Sequence, residues 1–133
     1  QVVVFVSFSM PVLSLKQIIQ DASRYKIPVV IRGLHENSFR KTIGRIFDLV
    51  KEDNKGGILV NPLWFKKYDI KAVPAVVVSS GEVSRADEKD GRFKKNEFDI
   101  VYGNIPLKRA LTIVAEQGSV ADVAKNILSR GGT

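Results

Sequence analysis

Residues 2–12 read Val-Val-Val-Phe-Val-Ser-Phe-Ser-Met-Pro-Val, and this run decides the fold. Val2 to Phe8 is apolar and rich in β-branched and aromatic side chains, the composition of a buried strand. Ser9-Met10-Pro11-Val12 then breaks the pattern, and Pro11 pre-sets the backbone angle needed for a first helical turn. A buried strand that runs straight into a helix puts their junction at the edge of an α/β sheet, where ligands and chemistry collect.

Downstream, Leu15, Ile18, Ile19 and Ala22 recur at helical spacing between Lys16, Gln17, Gln20 and Asp21, which predicts a helix from about Val12 to Tyr25. Ser9 and Ser14 are both candidate caps for it. Ile27 to Ile31, closed by Arg32-Gly33, reads as a second strand, so the first crossover is parallel. From Asn37 or Ser38 the apolar residues Phe39, Ile43, Ile46, Phe47 and Val50 mark one face of a helix reaching about Lys51.

Asp53 to Gly57 is a turn by composition, and Ile58 to Val60 is an apolar segment too short for periodicity to classify. Asn61-Pro62 combines an N-cap with proline at the first helical position and opens a short helix through Leu63, Trp64, Phe65 and Tyr68. Val73-Pro74-Ala75 leads into a strand over Val76 to Val78. The charged stretch from Glu82 to Asn96 reads as a hairpin loop, and Glu97 to Tyr102 as a strand antiparallel to its neighbour. After Gly103-Asn104-Ile105-Pro106, a helix on Leu107, Ala110, Leu111 and Val114 ends at Gly118. Ser119 and Asp122 have the spacing of a capping box for a last helix.

The 133 residues suffice for one compact domain with a sizeable core, and no window approaches the roughly 18 apolar residues of a membrane helix. Twenty-one Lys and Arg against 14 Asp and Glu give a formal net charge of +7. That excess attracts anions of any kind, nucleic acid included. The cations Arg40, Lys41, Arg45, Lys66, Lys67, Lys94, Lys95, Lys108 and Arg109 are nevertheless dispersed, without the aromatic interleaving of a nucleic-acid surface. A basic nucleic-acid-binding domain therefore stands as an alternative reading.

Two landmarks, the strand entering Ser9-Met10-Pro11-Val12 and Val73-Pro74 just before another strand, resemble the C-x-P-C turn and the cis-proline loop of thioredoxin-like proteins. The segments FVSFSMPVLSL at 5–15, VVIRGL at 29–34, VNPLWFKKYDIKAVPAVVV at 60–78 and VYGNIPLKRALTIVAEQG at 101–118 resemble the TrbC family of F-type conjugative transfer systems. The resemblance implies a single α/β, thioredoxin-like domain over residues 1–133. Its central mixed sheet would have four to five strands flanked by helices, with a helical insertion before a cis-Pro74 loop and an extra C-terminal helix. It also implies a periplasmic pilus assembly protein that binds TraW, and a signal peptide and amino-terminal region preceding these residues.

With no cysteine in the chain, Ser9 and Val12 stand where the two thiols would be, and a hydroxyl cannot cycle between thiol and disulfide. No cofactor motif is present, and Asp87, Glu88, Asp90 and Gly91 lack the ligand alternation of a calcium loop. A Ser9–His35 hydrolase is a further alternative, because His35 is the one imidazole available as a base. Ser9 is expected to act as a helix cap. Arg32 reads equally as a structural ion-pair member or as an anchor for a partner carboxylate. Met10 and Pro11 would project from the same edge near Pro74, while Trp64 either packs inward or anchors an interface. The expected function is a non-enzymatic binding module that uses these residues or the 82–96 loop.

Overall fold

The computed structural model describes residues 1–49, 57–80 and 98–130. Its elements run β1 (Val2–Val6), α1 (Val12–Arg24), β2 (Val29–Ile31), a 3₁₀ turn (His35–Asn37), α2 (Phe39–Leu49), β3 (Ile58–Val60), α3 (Pro62–Lys67), β4 (Ala75–Ser79), β5 (Phe98–Tyr102), α4 (Leu107–Gln117) and α5 (Ala121–Arg130). The 82–96 loop and the end of the second helix near Lys51 lie outside the described residues.

The five strands form one mixed sheet in the order β3-β2-β1-β4-β5, parallel from β3 to β1 and antiparallel from β1 to β5. The Val73–Pro74 peptide preceding β4 is cis. This is the thioredoxin-like α/β arrangement expected from the sequence, with α5 added at the end. β1 is central, so all five of its residues are buried and its apolar run is continuous rather than alternating.

The two faces of β1 feed two cores. Val2, Val4 and Val6 join Leu15, Ile19 and Ala22 of α1 with Leu107, Leu111 and Val114 of α4 and Ile127 of α5. Val3 and Phe5 join Phe65 of α3, Tyr68, Val77 and Phe98 on the other side. In that second core Phe65, Phe5, Tyr68 and Phe98, in that order, form a chain of edge-to-face rings with centroids 4.8, 5.7 and 5.0 Å apart.

Burial raises the Tyr68 hydroxyl above its ordinary value near 10, partly opposed by a hydrogen bond with Ser79. The unfolded tyrosine therefore loses its proton first, and stability is intact below the unfolded value and falls as pH rises from there through the folded one. Tyr68→Phe should flatten this alkaline loss while costing about 1 kcal/mol at neutral pH for the missing hydrogen bond. Denaturant titrations at neutral pH and above the unfolded value would check both parts.

Several local expectations change. β1 ends at Val6 rather than Phe8, because Ser7 to Met10 closes a turn in which Met10 N–H donates to Ser7 O at 3.1 Å. The Asn61 cap is present, its Oδ1 accepting from Trp64 N–H at 3.3 Å. The Ser119–Asp122 box is replaced by a long-range cap. Asp99 of β5 accepts from the N–H groups of Ser119 and Val120 at 3.0 and 2.9 Å, and α5 begins two residues beyond Ser119. α1 and α3 terminate through Lys26 and Asp69 in the left-handed region, with Ile27 N–H donating to Ala22 O and Ile70 N–H to Phe65 O.

Candidate functional site

The parallel strands β1 and β2 end on the same side of the sheet, and the chain leaving each of them builds an open groove of about 460 Å³. Ser7, Phe8 and Ser9 form one wall, and Arg32, Gly33, Leu34, His35 and Glu36 the other. Pro74 lies alongside, one step beyond the Phe5–Ala75 pair of the β1–β4 ladder.

The Ser9 cap does not form. α1 opens on Pro11 with no side-chain cap, and the Ser9 hydroxyl bonds instead to Ser7 Oγ at 2.9 Å. Ser7 Oγ also accepts from Ser9 N–H at 3.2 Å, so this serine pair stiffens the turn itself.

The opposite wall is set by a backbone that the sequence gives little hint of. Glu36 and Asn37 both have positive φ, 49° and 56°, a conformation costly for residues other than glycine. Thr42 of α2, 1% exposed, holds the turn. Its hydroxyl donates to Ser38 O at 2.6 Å and accepts from His35 N–H at 2.7 Å. The His35 ring then meets Phe8 across the groove, 5.1 Å between centroids. Glu36 is turned toward Lys41, 2.8 Å away, and this hydrogen bond and charge lower its carboxyl from the ordinary value.

Arg32 is exposed and sits above the Phe65 ring, 6.0 Å from its centroid. Among the described residues it pairs with no carboxylate, so the ion-pair reading of this residue has no partner there. A guanidinium perched on a ring, with open groove beside it, is arranged to receive an outside acceptor.

The sequence-named candidates do not form one patch. Met10 packs against the core on the α1 side, and Pro11 is exposed at the start of that helix. Arg32 and Trp64 belong to the α3 side, where Trp64 packs half-buried against the aromatic core. Phe8, Leu34 and Thr42 were not foreseen as part of the site. Leu34, 42% exposed, could have been found as an apolar residue in an otherwise polar loop.

Ser9 and His35 do line the same groove, a proximity no local pattern reveals. The Ser9 hydroxyl is nevertheless engaged by Ser7 rather than by the imidazole, and Glu36, the acid beside His35, is engaged by Lys41. A nucleophile, base and orienting acid in series are therefore not assembled. Ser9→Ala should cost under about 1 kcal/mol in chemical denaturation, for one exposed hydrogen bond. A loss of several kcal/mol would mean that the Ser7–Ser9 pair holds more than its own turn.

A family model described as the type-F conjugative transfer system pilin assembly protein matches residues 4–114. Over 128 residues the chain is 32% identical to the periplasmic protein TrbC of Escherichia coli (strain K12), an alignment covering 96% of this chain and 54% of that protein. The chain thus spans about half the length of this curated relative. No solved structure matches it.

Proposed function

The chain belongs to the type-F conjugative transfer system pilin assembly family, and from that membership we propose that it is a periplasmic, non-catalytic assembly factor that holds TraW or another transfer protein while the conjugative pilus is built. The periplasmic assignment follows the name of the E. coli relative. The contact is made at the groove edge. Arg32 takes a partner carboxylate, Pro11 and Pro74 form the rim, and Met10 and Trp64 support it from the two faces of the sheet.

The observation that carries this reading is the exposed Arg32, without a described carboxylate partner, at a thioredoxin-like edge that has Ser9 and Val12 in place of thiols. Disulfide exchange by this chain is closed to it for want of cysteine. What the edge retains is a fixed turn and a cation. Such a surface favours binding, because the groups are already ordered before the partner arrives.

Nucleic acid is the weaker reading. Lys66 and Lys67 are carried by α3 on one side of the sheet, and Lys108 and Arg109 by α4 on the other, so these cations do not share a stripe. Steeply salt-dependent DNA binding at physiological ionic strength would reinstate it.

The test is a titration of purified TraW with this protein. Arg32→Glu should weaken binding by roughly tenfold or more, the effect of losing one charge-assisted hydrogen bond, with unchanged thermal stability. Equal affinity of wild type and Arg32→Glu would remove the groove edge as the contact.

A further inference from the structure

The serine wall of the groove carries a hydrogen-bond donor that its own turn does not use. Ser7 and Ser9 hold their hydroxyl oxygens 2.9 Å apart, and the Ser9 N–H donates to Ser7 Oγ at 3.2 Å. Each hydroxyl has one proton, and one proton suffices for the bond between the two oxygens. Whichever serine donates, the proton of the other hydroxyl is left over for solvent or a ligand.

The rest of the lining is mixed in character. Arg32 contributes a guanidinium, while Glu36 is held 2.8 Å from Lys41 and its charge is balanced there. Phe8 and Leu34 are the apolar members: Leu34 is 42% exposed, and Phe8 is half-buried with its ring 5.1 Å from that of His35. A cation and a hydroxyl donor thus stand beside apolar surface within about 460 Å³, room for a few side chains rather than for a folded element.

We propose that the groove recognises an acidic residue next to an apolar one in a segment of the partner protein. The carboxylate takes a hydrogen bond from each wall, one from Arg32 and one from the spare serine hydroxyl, and the apolar side chain rests on Phe8 and Leu34. A carboxylate has two oxygens and lone pairs enough for both donors, and both bonds are charge-assisted. Arg32 alone would take any anion; the apolar pair is what selects a peptide. The inference rests on the reading of Arg32 as the anchor of a partner carboxylate and adds the second donor and the neighbouring side chain.

The probe is the peptide Gly-Leu-Glu-Gly, acetylated and amidated so that its one charge is the glutamate, titrated against the protein while backbone amide resonances are followed by NMR. It should shift the amides of Ser7, Phe8, Ser9, Arg32 and Leu34. Replacing its glutamate by glutamine should weaken binding by roughly tenfold, and replacing its leucine by serine should weaken it several-fold. Arg32→Gln should cost roughly tenfold, whereas Lys108→Gln, a cation on α4, should bind like wild type. Ser7→Ala and Ser9→Ala each release the proton of the hydroxyl that remains, so the double variant should lose more than the two single losses combined. Equal binding of the glutamine or the serine peptide, a double variant that binds like wild type, or no groove shifts at millimolar peptide would overturn the proposal. If the double variant loses the turn, the three peptides on the wild-type chain decide. Groove binding of the peptide together with TraW binding indifferent to Arg32→Glu would sink the TraW contact and leave this inference standing.

Discussion

Phe5→Ala should destabilise the protein by about 3–5 kcal/mol, the range for deleting a fully buried aromatic side chain. Phe5 is 0% exposed and sits between Phe65 at 4.8 Å and Tyr68 at 5.7 Å, both in edge-to-face contact. The loss has two parts: the transfer free energy of the ring, and the contacts its neighbours forfeit around the cavity. Relaxation can recover little, because the neighbours belong to a sheet strand on one side and a capped helix on the other. A domain of this size is stable by only about 5–15 kcal/mol, so the variant would be marginal and its melting temperature markedly lower. Phe5→Leu, which keeps most of the volume, should cost under half as much. Chemical denaturation of both variants separates the outcomes. Equal losses would mean that an apolar group of similar volume recovers nothing and that the ring contacts themselves set the cost.

The same substitution reaches the candidate site. Arg32 rests over Phe65, and Phe65 is positioned by Phe5. Weaker TraW binding by Phe5→Ala under conditions where the variant is still folded would report this link.

Gly118→Ala is the second large effect, expected at about 2–4 kcal/mol from overpacking combined with a disturbed cap. Gly118 has an ordinary φ of −82°, so conformational freedom is not the reason for glycine here. Space is. A Cβ at this position would overlap Asp99 Oδ2 and come within 2.8 Å of both Val114 Cγ1 and the Val114 carbonyl oxygen. The backbone oxygen cannot step aside without loosening the end of α4. Asp99 cannot move without releasing the N–H groups of Ser119 and Val120 that lead into α5.

This argument makes a prediction about additivity. Asp99→Ala alone removes two charge-assisted hydrogen bonds and should cost about 1–3 kcal/mol. In the double variant the carboxylate is no longer in the way, so the sum of the single costs should exceed the double by about 1 kcal/mol. Strict additivity would mean that the Val114 contacts alone account for the effect at Gly118.

The chain of reasoning from residues to fold is strongest where the signal is local. Val2 to Val6 and Ala75 to Val78 are continuous apolar runs because both strands are interior to the sheet. Asn61-Pro62 starts α3 by a cap and a preset angle that lie three residues from the bond they make. Gly118 was legible as the end of α4, whereas the close approach that requires glycine there was not. The ends of α1 and α3 were harder to see because Lys26 and Asp69, rather than glycine, occupy the left-handed position. The Ser119–Asp122 pattern misled because a stronger acceptor, Asp99, reaches the same N–H groups from 20 residues away in sequence.

The candidate site shows the same division. Arg32, Met10, Pro11, Trp64 and Pro74 could all be named from the sequence, yet their distribution over two faces of the sheet could not. That Arg32 rests on Phe65, that Thr42 holds the His35–Ser38 turn, and that Ser9 shares a groove with His35 without bonding to it are facts of packing between separate elements.

The amino-acid sequence by itself determined that this is an α/β domain with a buried first strand and that, having no cysteine, this chain cannot perform disulfide exchange. Composition and periodicity suffice for such conclusions because hydrophobic burial and side-chain chemistry are properties of residues and their near neighbours. Only the tertiary structure decided that Arg32 rests on Phe65 with no carboxylate partner among the described residues. Whether a polar group has a partner depends on what the rest of the chain brings within about 3 Å, a distance that sequence separation does not encode.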